Sequence, residues 1–346
     1  MNVKKKPLVS IITPCYNGEE YINRFLDSIL NQSYEKIELI FINDGSTDKT
    51  EEIVLSYQRK FEAKGIIFKY IYQKNKGVAA ALNRGLQIFK GDYISWPDSD
   101  DTLEKNNISI KVDFLEKNRE YGIVLCKSKI IDEYTMKTIG FLERSPNKST
   151  DKLFHDLILE RNAIFAGGAY MVRTSAFLKA IPERNIFENR GGQNYQILLP
   201  ILYEYKCGYI DKYLYNYFVR KDSHSHSISS IQSALKRCDE HEDILINTIK
   251  KIIPMKDEEK KNYIQLVTLK YTRKRLRLSA KYRNNDLLGK YFKELNSKYY
   301  LRINDRFIYL KGKSRFIEIF FIIIKTPYYL LRLFKGKKYD RSRIKK

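Results

Sequence analysis

Between residues 8 and 96 short apolar runs alternate with amphipathic stretches, and this rhythm leaves few folds open. Leu8–Ile12 reads as a β-type run closing at Thr13-Pro14, and Glu20–Asn31 carries Tyr21, Ile22, Phe25, Ile29 and Leu30 on one helical face. Ile37–Ile42 is a second predicted strand, stopped by the turn cluster Asn43-Asp44-Gly45-Ser46. Asp48 is placed to cap the next helix, which runs to about Phe61. A strand over Gly65–Tyr72, a helix over Val78–Lys90 and a strand over Tyr93–Trp96 complete the series. The spacing predicts an α/β fold with a doubly wound, Rossmann-like sheet and right-handed crossovers. In such sheets ligands bind beyond the carboxyl ends of the strands. Three polar clusters, Thr13–Tyr16, Asn43–Ser46 and Asp98–Asp101, fall at those ends and so converge on one edge.

After Asp101 the pattern becomes mixed. A helix is expected over Leu103–Asn118, a strand over Gly122–Lys127, and polar irregular chain over 133–152. Ala169–Val172 reads as a strand, Ser175–Ala180 and Asn194–Tyr205 as helices, and Tyr213–Val219 as a strand. From about Ser229 the periodicity is helical and dense in Lys and Arg, which sets a boundary near residue 228 between domains 1–228 and 229–346. Residues 231–346 hold 31 Lys/Arg against 12 Asp/Glu, so most of the net charge of +23 lies there. A basic segment of this kind implies an anionic partner: lipid headgroups, nucleic acid or a phosphorylated substrate.

Hydrophobic residues at 43% supply a core and exclude global disorder. Cys15, Cys126, Cys207 and Cys238 form no CxxC pair, which argues against a zinc ribbon or disulfide framework and fits a reducing cytosol. The N-terminal apolar run is too short for a signal sequence, and no uncharged stretch approaches the roughly 18 residues of a span. The expected location is the cytoplasmic side.

The stretch ISWPDSDD places Asp98, Asp100 and Asp101 together after an apolar run. Their repulsion asks for a positive neighbour. A solvated helix cap is one explanation and a divalent cation another.

Taken in order, VSIITPCYNGEEYI, IELIFINDGSTDKT, NKGVAAALNRGL and GDYISWPDSDD resemble the family 2 glycosyltransferases of GT-A fold, over roughly residues 7–226. A DxD alone is weak; the ordered set is specific, and it is similar to members that build bacterial surface or capsular polysaccharides. The resemblance implies that Thr13, Pro14 and Tyr16 line the base and ribose of a nucleotide-sugar. Asp44 would accept a hydrogen bond from the base, an Asx-turn role being the alternative. Asp98 and Ser99 would lie against the nucleotide, with Asp98 and Asp100 holding Mg²⁺ or Mn²⁺ at the diphosphate. Asp101 is expected to cap the helix near Leu103, and Trp96 to be core.

Two departures accompany the resemblance. Many members carry Arg where Leu82 stands; Lys76 or Arg84 is the alternative diphosphate contact, or each is a solvated position. The acidic pair that supplies the general base is replaced by Gln193-Asn194 in ENRGGQNYQILLP, and an amide accepts no proton at neutral pH. Either Glu188 or another group is then the base, a plain surface or capping role being the alternative for Glu188, or Asn194 only orients the acceptor. YLYNYFVRKDSHSHS resembles the closing segment of the catalytic domain, where Arg220 would meet the diphosphate and His224 and His226 would complete the metal shell. Gly167-Gly168 allows close approach of an acceptor or a tight turn.

In the tail, Phe316–Phe334 is apolar but interrupted by Glu318, Lys325, Pro327 and Arg332. It reads as an interfacial anchor within 313–346 on an anionic membrane surface, or as a helix packed on the catalytic domain. The implied activity is metal-dependent, inverting transfer of a hexosyl or N-acetylhexosaminyl group, with a UDP-sugar as donor. The acceptor would be a glycan or lipid-linked molecule at the inner face of the cell membrane. The alternative is a non-catalytic nucleotide-sugar-binding or scaffold member. Nucleic acid is disfavoured because the basic charge lies away from the aromatic-rich sheet and no binding signature appears.

Overall fold

A computed structural model describes residues 6–144, 149–189, 191–220 and 230–314. They fall into two compact units, one drawn from Met1–Ser227 with His241–Val267, the second from Ile228–Glu240 with Thr268–Lys346. The first unit opens with β1 (Val9–Cys15), α1 (Ile22–Leu30), β2 (Ile37–Asn43), α2 (Thr50–Ser56), α3 (Gln58–Ala63), β3 (Ile67–Tyr72), α4 (Val78–Ile88) and β4 (Tyr93–Ser95). It continues with β5 (Thr102–Leu103), α5 (Asn107–Lys117), β6 (Tyr121–Asp132), β7 (Thr138–Leu142), α6 (Leu153–Ile158), β8 (Tyr170–Arg173), α7 (Thr174–Ala180), α8 (Gln193–Glu204) and β9 (Lys206–Val219). Helices α9 (Ile231–Lys251), α10 (Asp257–Lys281), α11 (Asn285–Lys298) and α12 (Ile303–Lys313) follow, and the division between units falls inside α9 and α10.

The strands form one mixed sheet in the order β3-β2-β1-β4-β8-β6-β9-β5, with β7 paired to β6. Strands β3, β2, β1 and β4 are parallel, as strand–helix alternation requires. β8 joins β4 antiparallel, and β6 and β9 run parallel to each other. All seven residues of β2 are buried, the mark of a strand covered on both faces. Helix α1 covers the sheet with Ile22, Phe25, Leu26 and Ile29. Helix α4 lies closest at Gly85, where a Cβ would come within 2.2 Å of the Ile12 side chain.

One charge is buried in β2. Glu38 accepts from Lys69 Nζ at 2.6 Å, from the Lys90 backbone N–H at 2.9 Å and from the Ser10 hydroxyl. Burial alone would raise its carboxyl, but these donors outweigh burial and hold it below its ordinary 4.5.

The structure departs from the sequence reading after Asp101. The helix expected from Leu103 begins at Asn107, because Thr102 and Leu103 pair with Asn216 and Tyr215 of β9. A strand, β7, forms within the stretch read as irregular, and β9 begins at Lys206, ahead of the expected Tyr213. In the second unit Leu276, Leu288 and Leu295 form a small core, and Arg273 pairs with buried Asp305 at 3.0 Å. Among the described residues no helix is long and apolar enough to cross a membrane. The proposed anchor lies almost wholly outside the described residues.

Candidate active site

The carboxyl ends of β1 and β2 are laced together by their following loops. Asn17 adopts a left-handed backbone (φ 50°), which turns its N–H to the Ser46 hydroxyl at 2.9 Å. Its side-chain oxygen accepts from Thr47 N at 2.9 Å, and Gly18 N donates to Thr50 Oγ1 at 2.7 Å. Asp48 accepts from Thr50 N and Glu19 N, so it fixes the start of α2 and the β1–α1 loop together. Thr13 is buried on β1, and its hydroxyl has no hydrogen-bond partner among the described residues; Pro14 is half-buried and Tyr16 is 44% exposed. The Cys15 thiol, buried beside them, is pushed up to about 12 by burial, which makes it an inert packing group.

Asp44 is 4% exposed and organises the neighbouring loop. Its carboxylate accepts from Gln73 Nε2 at 2.7 Å, Lys76 N at 3.0 Å and Gly77 N at 2.9 Å. A carboxylate has about four acceptor directions, so roughly one remains for a ligand. Lys76 contributes its backbone here, and its side chain is exposed, as is that of Arg84. Leu82 is core, 1% exposed.

The carboxylates after β4 divide into three roles. Asp101 is fully buried: Tyr215 Oη donates to it at 2.7 Å and Phe218 N at 2.8 Å. It therefore clamps β9 and does not cap a helix, which corrects the sequence reading. Burial first, then Asp100 and Asp98, push its carboxyl well above the usual range. Asp98 is half-buried, and burial and then Asp100 raise its carboxyl to about 7. Ser99 is buried beside the Cys15 thiol. Asp100 is half-buried too, and Arg220 Nη2 meets its carboxylate at 2.7 Å.

Arg220 belongs to a charge network that sequence reasoning did not foresee. Its Nε lies 3.2 Å from Glu133, and its guanidinium lies over the Tyr21 ring at 4.3 Å. Glu133 also pairs with Arg24 at 2.7 Å, and Arg24 donates to the Asp100 carbonyl at 2.6 Å. The alternation within YLYNYFVR is the one local signal that could have found Tyr215, and nothing singles out Glu133, which follows directly on β6.

At this edge, Asn194 in the first turn of α8 holds Trp96. Asn194 Oδ1 accepts from Trp96 Nε1 at 2.7 Å, and its amide N–H donates to the Phe165 carbonyl. Trp96 is core, 3% exposed. Gly167 and Gly168 pack where a Cβ would come within 2.4 Å of the Trp96 carbonyl and 2.1 Å of the Tyr215 ring, so their close approach is to the protein itself. Glu188 is exposed on the loop before α8, whose Phe187 backbone is held on both sides by Gln196. His224 and His226 lie outside the described residues. The structure thus brings Thr13, Pro14, Tyr16, Asp44, Asp98, Ser99, Asp100 and Arg220 to strand carboxyl ends, with Asn194 tied to the same edge through Trp96.

Among the described residues no three His, Cys, Asp or Glu side chains assemble into a metal cluster. Asp98 and Asp100 supply hard oxygen donors, a set that suits a dication completing its shell with water and phosphate oxygens.

The sequence profile of Glycosyl transferase family 2 matches residues 10–179. An uncharacterized glycosyltransferase of Rickettsia prowazekii (strain Madrid E) is 30% identical over 251 residues, covering 71% of this chain and 73% of that relative. An uncharacterized glycosyltransferase of Rickettsia typhi (strain ATCC VR-144 / Wilmington) is 37% identical over 174 residues, 50% of this chain, which spans only 52% of that relative. In fold, the chain is similar to S. aureus TarS in complex with UDP-GlcNAc (TM-score 0.58, 18% identity, 88% of this chain and 79% of that one). It is also similar to the mannosyltransferase PcManGT from Pyrobaculum calidifontis in complex with GDP-Man and Mn²⁺ (TM-score 0.54, 16% identity, 86% and 77% covered). The mixed sheet with its ordered strand-end motifs, and the extent of the relatedness, lead to one assignment: the chain belongs to glycosyl transferase family 2.

Proposed function

We propose that the protein transfers a sugar from a nucleoside diphosphate sugar, a UDP-sugar by family resemblance, to a glycan or lipid-linked acceptor, with inversion at the anomeric carbon. The observation that carries this reading is the pairing of Asp100 with Arg220 at the same sheet edge where Asp44 pins its loop. Thr13, Pro14, Tyr16 and the remaining acceptor direction of Asp44 would receive the base and ribose, with Ser99 against them. Asp98 and Asp100 would hold Mg²⁺ or Mn²⁺, joined by His224 and His226, and such a cation neutralises charge on a departing diphosphate. Arg220 would leave Asp100 for the diphosphate, a charge-assisted contact that a guanidinium makes well.

Glu188 is the proposed base. Its exposure suits a group that meets an acceptor hydroxyl, whereas both ends of the Asn194 amide are engaged within the protein. Asn194 then acts by holding Trp96, and through it the strand end. Synthesis of a bacterial surface polysaccharide, with peripheral association to the inner face of the cell membrane through the basic C-terminal region, is the proposed setting.

Transfer from a panel of nucleotide-sugars, followed by release of the nucleoside diphosphate, tests the reading. Asp100→Asn should cost about 2.7–4 kcal/mol of transition-state stabilisation, and chelator should abolish turnover. Equal turnover of wild type and variant, or full turnover in excess chelator, would remove the metal role. Glu188→Gln should lower kcat about 10²–10⁴-fold with nucleotide affinity kept. An unchanged kcat would move the base elsewhere. Nucleotide-sugar binding without turnover for any donor would identify a non-catalytic member.

A further inference from the structure

Helix α12 has two sides of opposite character. On one, Asp305 and Gly312 are buried. Asp305 pairs with Arg273, Gly312 sits where a Cβ would come within 2.7 Å of the Leu288 side chain, and the Tyr309 ring stacks on Phe292 with centroids 4.0 Å apart. This side closes the core built on Leu276, Leu288 and Leu295. On the other, Ile303, Arg306, Leu310 and Lys313 recur at a spacing that brings them to one helical face. Ile303 is 89% exposed and Leu310 46%, and Tyr300, just ahead of the helix, is 88% exposed.

The charges on this helix are sorted as sharply as its apolar groups. Arg306, Lys311 and Lys313 are exposed, as is Arg302 at the N-cap, while the only acid, Asp305, is turned inward. An ordinary solvated face would mix signs and carry few large apolar groups. A face destined for a protein core would not carry cations between its apolar side chains. Apolar groups interleaved with cations alone match a surface that offers hydrocarbon beneath a layer of negative charge.

We propose that Tyr300, Ile303, Arg306, Leu310 and Lys313 form a binding surface for an anionic lipid bilayer. The apolar side chains enter the boundary between headgroups and acyl chains, and the cations stay at the level of the phosphates. The inference rests on the reading that the protein works against a membrane, and assigns part of that contact to a folded helix. Charge complementarity favours lipid as the occupant, since the last third of the chain is strongly cationic. The chain also runs on for residues 315–346 with the same mixture of aromatic, aliphatic and basic residues.

The test is cosedimentation of the full-length protein with phosphatidylglycerol–phosphatidylcholine vesicles, with pure phosphatidylcholine as the neutral control. Wild type should bind the anionic vesicles. Ile303→Asp combined with Leu310→Gln should weaken that binding about tenfold or more, with unchanged thermal midpoint and unchanged UDP affinity. Arg306→Glu with Lys313→Glu should weaken binding to anionic vesicles and leave the neutral control unaffected. If wild type binds and both double variants bind equally well, the membrane reading stands on other residues and this surface falls. If wild type ignores anionic vesicles, both fall. A lower thermal midpoint or an altered oligomeric state in the variants, without a change in vesicle binding, would show the face covered by residues 315–346 or by a second copy, and would also overturn the proposal.

Discussion

Asn194 and Glu38 illustrate how differently a single polar side chain can be used. The Asn194 amide needs both its ends, one as acceptor for Trp96 and one as donor to the Phe165 carbonyl. Asn194→Asp supplies the acid that the family resemblance implies at this position, but it aims a carboxylate oxygen at a carbonyl. We expect a loss of stability of about 1–3 kcal/mol, readable by urea unfolding, with no gain in turnover. A gain in turnover would mean that the carboxylate can act as base here after all. Glu38 is a buried carboxylate with its donors in place, and its folded-state value lies below 4.5. The stability it contributes is therefore fully present above that value and is lost as pH falls through the depressed one. Unfolding of wild type and Glu38→Gln should differ most at neutral pH and converge in strong acid. A difference that stays constant with pH would exclude this linkage.

Among elements, the parallel half of the sheet was the most readable from the sequence. The ends of β1, β2 and β4 lie within three residues of their expected runs, since the apolar periodicity reports burial directly. The far half was less readable because long-range pairing decides it. β9 contains Lys206, Gly208, Asp211 and Lys212, which blur any alternation, and its parallel register with β6 holds it as a strand regardless. Thr102-Leu103 likewise looked like a helix start until β9 paired with it. The strand-end placement of the motif-bearing candidate residues was legible for the same reason as the parallel strands. Glu133, Arg24 and Tyr215 were not, because their roles arise from contacts across the sequence that no local pattern encodes. Packing of α4 on the sheet supplies a test. Gly85→Ala gains up to about 1 kcal/mol in helix propensity, but its Cβ overlaps Ile12 at 2.2 Å. Overpacking of this kind costs about 1–3 kcal/mol, so the variant should be net less stable in thermal unfolding. An unchanged or raised midpoint would mean that the helix shifts at little cost.

For the chain as a unit, the uneven charge predicts two salt responses in one protein. The proposed attraction between the basic last third and anionic vesicles should weaken with added salt, because the screening length falls from about 10 Å at 0.1 M to about 3 Å at 1 M. The buried apolar part of that contact should persist, so release from vesicles is partial. Affinity for the proposed UDP ligand, whose candidate site lies in the first unit, should respond far less. Complete release by salt would leave no role for the apolar groups.

The path of the chain limits how this protein can be cut and joined. It leaves the first unit near residue 228, returns for His241–Val267, and leaves again. The returning segment is no passive strap: Glu259 accepts from Tyr203 Oη at 2.6 Å, Tyr263 packs edge-on to Phe154 at 5.1 Å, and Ile244 lies where a Gly192 Cβ would come within 2.7 Å. A polypeptide ending at residue 228 would bare these partners. Exchange of this unit between relatives would accordingly have to carry residues 241–267 along, since the unit that holds the strand-end motifs is not a contiguous cassette.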